Sequence, residues 1–473
     1  MIAYNYDFAA RGWYNKPSWL DNFRINVDNS KRMLFEHLGD LERDLLDVAM
    51  AVYVADRISS RSPGHPGDWF VRMQGRSLKL RIPVRQGRIW NSPEVKRSLL
   101  ECLEYLTADE WEISFVPRTI HTHQQVPLFN VEPVKPFVGL FSGGLDSFAG
   151  AILQALDPQF DTGILVSAYS NSSLISRQQQ LIANMNTKLE ANGKTLFDRH
   201  LAHNLHYDVK YNPASGILSE QRGRDEVTQR SRGFLFVALG LAMARALRLN
   251  TLNVYENGVG AINLPHTSSG LGVDYTRAMH PEFLHRMMSF ATHLFESTMR
   301  IENPSLWKTK GQMCRELEGH GFGELAVKTV SCDGFPRRKP QAQEQCGHCT
   351  SCLLRRVSLA AGGLEPLDRR FSTYQTDVYS IFPTANNTDT LFELRCMEHQ
   401  VLRIRNALTH INPEISLFSE FPELLRARSA IARIEGRNID AITRDLIGLF
   451  RRYVGDWDWF SSFLPTNADA VNA

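Results

Sequence analysis

The spacing of apolar positions changes twice along this 473-residue chain, and the changes divide it into three stretches. Residues 1–118 mix two periods. Leu38–Arg57 carries apolar residues at helical spacing, Trp69–Met73 and Leu78–Val84 read as strands, and Pro93–Leu106 reads as a helix opened by Ser92-Pro93. Trp111–Val116 alternates apolar and polar residues and predicts a closing strand, so the stretch is an N-terminal α+β unit. Residues 119–135 are polar, contain Pro127 and Pro133, and read as a linker.

In the second stretch, residues 136–362, short apolar runs at Phe137–Phe141, Thr162–Ala168 and Thr251–Tyr255 alternate with helical segments. Those segments are Phe148–Leu156, Ser173–Ala191 (ended by Gly193), Gly233–Leu249 and Pro281–Met299. Strands separated by helices imply an α/β fold with a parallel sheet that takes ligands at the carboxyl ends of its strands. The third stretch, residues 372–473, is helical, with amphipathic segments at Leu391–Leu408, Pro422–Ile434 and Ile439–Val454. No internal repeat interrupts this three-unit plan.

Composition narrows the class. Apolar residues make up 43% and charged residues 22%, as in ordinary globular proteins, and a net charge of +2 gives no strong nucleic-acid or membrane footprint. No apolar run approaches a membrane span, and Met1–Ala10 lacks an apolar signal core. Seven cysteines, four of them clustered, suit a reduced cytoplasmic protein with a metal site better than a disulfide scaffold.

Two motifs carry chemistry. Ser142-Gly143-Gly144-Leu145-Asp146-Ser147 joins the first apolar run of the second stretch to a helix. Paired glycines bring backbone N–H groups close to an anion, and a helix N-terminus adds donors and positive potential. Ser142 and Ser147 offer hydroxyls, and Asp146 offers a ligand for a Mg²⁺ that accompanies phosphates. The second motif is Cys332 with Cys346, Cys349 and Cys352, spaced C-x13-C-x2-C-x2-C. Four thiolates suit a closed tetrahedral Zn²⁺ of structural type, and an iron–sulfur cluster is the other reading. Cys102, Cys314 and Cys396 read as packing residues, and His348 as a loop residue. Gly193-Lys194-Thr195 imitates the end of a Walker A loop but has Lys188 where that pattern needs glycine.

The six-residue loop matches the SGGxDS loop of the PP-loop ATP pyrophosphatases, whose adenine-nucleotide alpha-hydrolase-like core is a Rossmann-like parallel sheet. Loop and cysteine cluster together resemble the 7-cyano-7-deazaguanine synthase family over roughly Phe137–Arg356. Between them, Ser231-Arg232-Gly233-Phe234-Leu235-Phe236 is similar to that family's PGRN-x-x-F segment, and Asn257-Gly258-Val259 to its TGV turn. Asn303–Lys310 is similar to its TP-x-x-W-x-x-K segment, and Cys346–Arg355 to its CGHCxxCxxR segment.

The resemblance implies ATP-dependent adenylation of a deazaguanine carboxylate. Ser142, Gly143, Gly144, Asp146 and Ser147 would hold the departing pyrophosphate, and Ala168 and Gly258 would lie at the nucleotide. Lys310 and Arg232 would be the catalytic cations, with Asp146 and Mg²⁺ on the phosphates. Ammonia or another amine would then displace AMP to give an amide, which in the family a second ATP dehydrates to a nitrile. A biosynthetic synthase of the queuosine pathway and a non-catalytic nucleotide-binding scaffold are the alternative readings.

The chain departs from the family in its base pocket: Ala168-Tyr169-Ser170 replaces Asp-Tyr-Gly, and Gly260–Asn263 lacks the acidic residue that reads the base, a role Glu256 could fill from another register. The flanking units resemble those of synthase-like proteins of Qat and type IV CBASS anti-phage systems. That likeness implies a protein amine, from a partner encoded beside it, as an acceptor in place of ammonia. The arginines of the C-terminal unit (Arg403, Arg405, Arg426, Arg428, Arg433, Arg437) offer a docking face, or simply a solvated helix surface.

Overall fold

The computed structural model describes residues 2–5, 23–27, 37–59, 75–118, 133–170, 172–191, 193, 196–205, 207–211, 226, 228, 230–266, 277–334, 345–381 and 391–465. Strands β1 (Ile2–Asn5) and β2 (Phe23–Val27) precede helix α1 (Asp40–Ile58), which has Asp40 and Glu42 in its first turn and Arg57 in its last, matching the helix dipole. Next come β3 (Ser77–Val84), a single turn α2 (Gly87–Trp90), α3 (Pro93–Thr107) and β4 (Glu110–Pro117). As Ser92-Pro93 predicts, Ser92 caps α3 by accepting from the Val95 amide at 3.4 Å. Strands β1, β3 and β4 form a parallel three-stranded sheet in the order β1-β3-β4. The expected strand at Trp69–Met73 and most of the expected linker lie outside the described residues.

The central unit opens with β5 (Pro136–Leu140), α4 (Leu145–Ala155), β6 (Thr162–Tyr169) and α5 (Ser172–Ala191). Strands β7 (Leu196–Asn204) and β8 (Tyr207–Tyr211) follow, and β8 pairs antiparallel with β2. Then come α6 (Arg232–Ala246), β9 (Thr251–Asn253), the short α7 (Gly258–Ile262), α8 (Pro281–Phe295) and β10 (Arg300–Glu302). The sheet is parallel throughout, in the order β10-β9-β5-β6-β7. Successive strands thus build outward in opposite directions from β5, and the crevice at the β5–β9 switch point is where a doubly wound sheet binds its ligand. The α/β fold expected from the sequence is therefore present, with two strands, β7 and β10, added at the edges.

Three short helices, α9 (Lys310–Gly319), α10 (Gly323–Ala326) and α11 (Thr350–Ala361), close this unit and lead into α12 (Glu365–Phe371). The C-terminal unit is helical, as expected: α13 (Phe392–Thr409), α14 (Pro413–Glu420), α15 (Glu423–Glu435) and α16 (Ile439–Ser461). No described helix is long and apolar enough to cross a membrane.

The cores do not stop at unit boundaries. Helix α1 is buried on nearly every side because it lies between the first sheet and α6. Leu45, Val52 and Leu80 share one apolar core with Val138, Phe234 and Phe290. A second core joins the C-terminal helices to Val259, Leu306 and Leu353 of the central unit. Both flanking units are thereby fixed against the crevice.

Candidate active site

The six-residue loop is tied together by its own polar atoms. Phe141 still pairs with β6, its N–H donating to Val166 O at 2.8 Å. The chain then turns through Gly143 at φ +84°, a conformation that favours glycine. Ser142 and Ser147 hydroxyls lie 3.0 Å apart; Ser142 Oγ accepts from Gly144 N at 3.2 Å, and Ser147 Oγ donates to Gly144 O at 3.0 Å. The serines thus brace the turn while both line the cavity beside it. From below, the buried Gln178 amide donates to Ser142 O at 3.2 Å. The amides of the first turn of α4, which have no intrahelical partners, are the anion donors here.

Asp146, in that first turn, meets residues 111 and 164 positions away. Its Oδ2 lies 2.7 Å from Lys310 Nζ, and its Oδ1 accepts from Asn257 Nδ2 at 2.9 Å. The same Asn257 amide donates to Glu256 at 2.9 Å, and Asn257 Oδ1 caps α7 at Gly260 N. Lys310 opens α9 behind a capping box formed by Thr309 and Gln312. Burial works against the Lys310 charge, but Asp146 and Glu256 outweigh it and raise its pKa. Burial, reinforced by Asp146, raises the pKa of Glu256 against the pull of Lys310. Glu256 therefore belongs to the Asp146–Lys310 centre, and it also lines the cavity that this centre borders.

This cluster borders a cavity of about 610 Å³, within the range of small-molecule sites. Ser142, Gly144, Asp146, Ser147, Ala168, Arg232 and Lys310 all line it. Arg232 is the first residue of α6, with its guanidinium 4.9 Å from the Phe236 ring. Tyr53 of the N-terminal unit and Met397, Gln400 and Tyr453 of the C-terminal unit complete the wall, which sequence patterns gave no means of finding.

Gly258 sits apart from these groups. A methyl group there would collide with the Leu306 carbonyl and approach Leu449 at 2.6 Å, and Gly258 N donates to Lys308 O at 2.9 Å. Its role is to let the segment before Lys310 pack against α7. Gly258→Ala is expected to destabilise the protein by about 1–3 kcal/mol, the usual cost of overpacking, as read from urea denaturation. An unchanged midpoint would show that the segment yields.

The four cysteines meet as the spacing predicts. Their sulfurs all lie within 4.8 Å of one another, and Cys346 Sγ is 3.9 Å from Cys352 Sγ. Sulfurs about 3.8 Å apart are what tetrahedral Zn–S bonds of about 2.3 Å require. Backbone N–H groups of Cys346 and Cys349 point at Cys332 and Cys346 sulfurs (3.4 and 3.3 Å), which favours thiolates. His348 faces away, with Nδ1 near Cys346 O and Thr376 Oγ1, in keeping with a loop role. Gly347, at φ +82°, lets residues 374–376 strap across the knuckle, where Thr376 N donates to Cys346 O at 3.0 Å.

Fully buried Arg355 anchors the knuckle, donating to Thr329 Oγ1 and Val327 O (2.6 and 2.9 Å). Cys332 and Asp333 also line the cavity, so this centre forms one of its walls.

Residues 137–363 match the family described as Queuosine biosynthesis protein QueC. The match runs from β5 through the knuckle to the end of α11 and leaves both flanking units outside it. The central unit is thus similar to that PP-loop family. No curated protein matches the chain.

Proposed function

We propose that the protein is an ATP-dependent ligase that adenylates a deazaguanine carboxylate such as 7-carboxy-7-deazaguanine. The observation that carries this reading is the Asp146–Lys310 pair, which borders the glycine loop and one side of a cavity in a QueC-like core. A substrate carboxylate oxygen attacks the α-phosphorus of ATP, the bond to the β,γ-phosphates breaks, and pyrophosphate leaves into the loop. An amine nitrogen then attacks the acyl carbon of the acyl-adenylate, AMP departs, and the amine loses a proton as the amide forms.

The chain's part is positioning and charge stabilisation, with Lys310 and Arg232 as donors to developing negative charge. Asp146 is the residue suited to a Mg²⁺ on the phosphates, and the four thiolates fit a structural Zn²⁺. The acceptor is ammonia or the amine of a partner protein. Flanking units that wall the cavity favour the second, and with it the anti-phage role that the sequence likeness implies.

The test is incubation with Mg-ATP and 7-carboxy-7-deazaguanine, reading AMP, pyrophosphate and acyl product by mass spectrometry. AMP release that Asp146→Ala abolishes is the expected result. No AMP from any deazapurine carboxylate would remove the enzyme reading, and free nitrile as the sole product would make the protein a biosynthetic synthase.

A further inference from the structure

Arg232 owes its place to residues outside the central unit. Ser231 is the N-cap of α6, and its hydroxyl makes no capping bond to the helix. Fully buried Asp56, near the end of α1, supplies the missing cap: its Oδ2 accepts from Ser231 N at 2.9 Å and from Ser231 Oγ at 2.8 Å. A carboxylate here also complements the positive end of the α6 dipole, directly before Arg232.

Asp56 is itself held in place. Its Oδ1 pairs with Arg76 Nη2 at 2.5 Å, and Arg76 grips both oxygens of Asp109 at 3.1 and 2.7 Å. Two further contacts fix the approach to α6. Glu226 N donates to Arg57 O at 2.7 Å, and Arg230 Nη1 donates to Thr107 O at 3.1 Å. One turn before Asp56, Tyr53 lines the same cavity as Arg232.

We propose that Asp56 is a positioning residue for Arg232, so that the N-terminal unit is a working part of the active site. This rests on the adenylation reading for its catalytic half. The chain Asp109–Arg76–Asp56–Ser231 transmits the rigidity of the first sheet to the first turn of α6. A misplacement of about 1 Å can cost on the order of a hundredfold in rate. Loss of Asp56 should therefore act on the reaction through Arg232, with its cost in stability limited because Arg76 keeps both oxygens of Asp109.

A double-mutant cycle tests it, with AMP formation as the readout on Asp56→Asn, Arg232→Ala and the double variant. Asp56→Asn is expected to lower kcat tenfold to a hundredfold with KM changed less than threefold, and to have under a twofold effect once Arg232 is gone. Ser231→Ala, which loses one of the two bonds, should give a smaller loss of the same kind. Equal losses in both backgrounds would overturn the proposal.

Hydrogen exchange gives a second readout, independent of the reaction. Asp56→Asn should speed exchange at amides 231–235 while protection in α8 and α16 holds. Unchanged exchange at 231–235, or loss throughout the protein, would overturn the proposal even if wild-type protein makes no AMP. That last result would separately remove the adenylation reading.

Discussion

Lys310→Met should lower AMP formation by about a hundredfold to a thousandfold while leaving a folded protein. The size follows from removing one preorganised donor from developing charge in a water-poor site. The fold should survive because the neighbours have other partners. Asp146 keeps the Asn257 amide at 2.9 Å, and Glu256 already holds its proton to unusually high pH, so it can become neutral instead of standing as a second bare carboxylate.

Breaking a buried ion pair outright costs about 3–5 kcal/mol. Those two responses should bring the loss to about 1–3 kcal/mol. Lys310→Arg should recover much of the stability but little of the activity, since a planar fork cannot replace a compact ammonium 2.7 Å from Asp146. Wild-type AMP formation by a folded Lys310→Met protein would exclude Lys310 from the reaction.

What surrounds Lys310 explains why the flanking units matter. Arg452 of α16 donates to Trp307 O and Gln312 Oε1, both at 3.0 Å, which braces the segment that delivers Lys310. Asp456, one turn on, lies against Gly311, where a methyl group would meet its carboxylate at 2.6 Å. The C-terminal unit therefore buttresses the lysine as the N-terminal unit buttresses Arg232. A QueC-like core that had evolved to depend on these supports would not tolerate their removal.

The parts of this arrangement that were legible in the sequence share a physical cause: local chemistry that repeats or clusters. The glycine loop needs its φ > 0 residue, and the thiolates need fixed spacing. The long helices need apolar residues every three to four positions, and α1, α3, α13, α15 and α16 were readable on that ground.

Elements governed by distant partners were not readable. β10 has three residues, too few to show a period, and exists because β9 pairs with it. β7 carries Arg199, His200 and His203 and lacks the apolar run of a central strand, as suits the sheet edge. α14 has only eight residues, too few to show a period, and its Ile415 is 65% exposed. Asp56 sits near the end of α1 with no local sequence signal to single it out. Its meaning lies in Ser231, 175 residues away.

Removing the metal should have the largest effect of all. Wild-type protein is expected to carry one zinc per chain by elemental analysis, and Cys349→Ser should carry almost none. Structural zinc in small domains contributes about 10–16 kcal/mol of apparent binding free energy, comparable with the whole stability of a domain at about 5–15 kcal/mol. The knuckle has few substitutes for it, because its own sulfurs face one another and the short segment across it is held by backbone bonds from residues 374–376.

Its loss should spread in one direction first. Cys332, Asp333, Thr350 and Ser351 line the cavity, so AMP formation should fall with zinc content before the core at Leu45 and Phe290 opens. Dialysis against a chelator with time-resolved activity and near-UV circular dichroism would show that order. Cys396→Ser, at a half-buried cysteine outside the cluster, should change neither quantity. Iron with a visible absorption band in place of zinc would assign the site to an iron–sulfur cluster. Full activity in a metal-free protein would make the four thiols a packing cluster, with the knuckle held by Arg355 and the 374–376 strap.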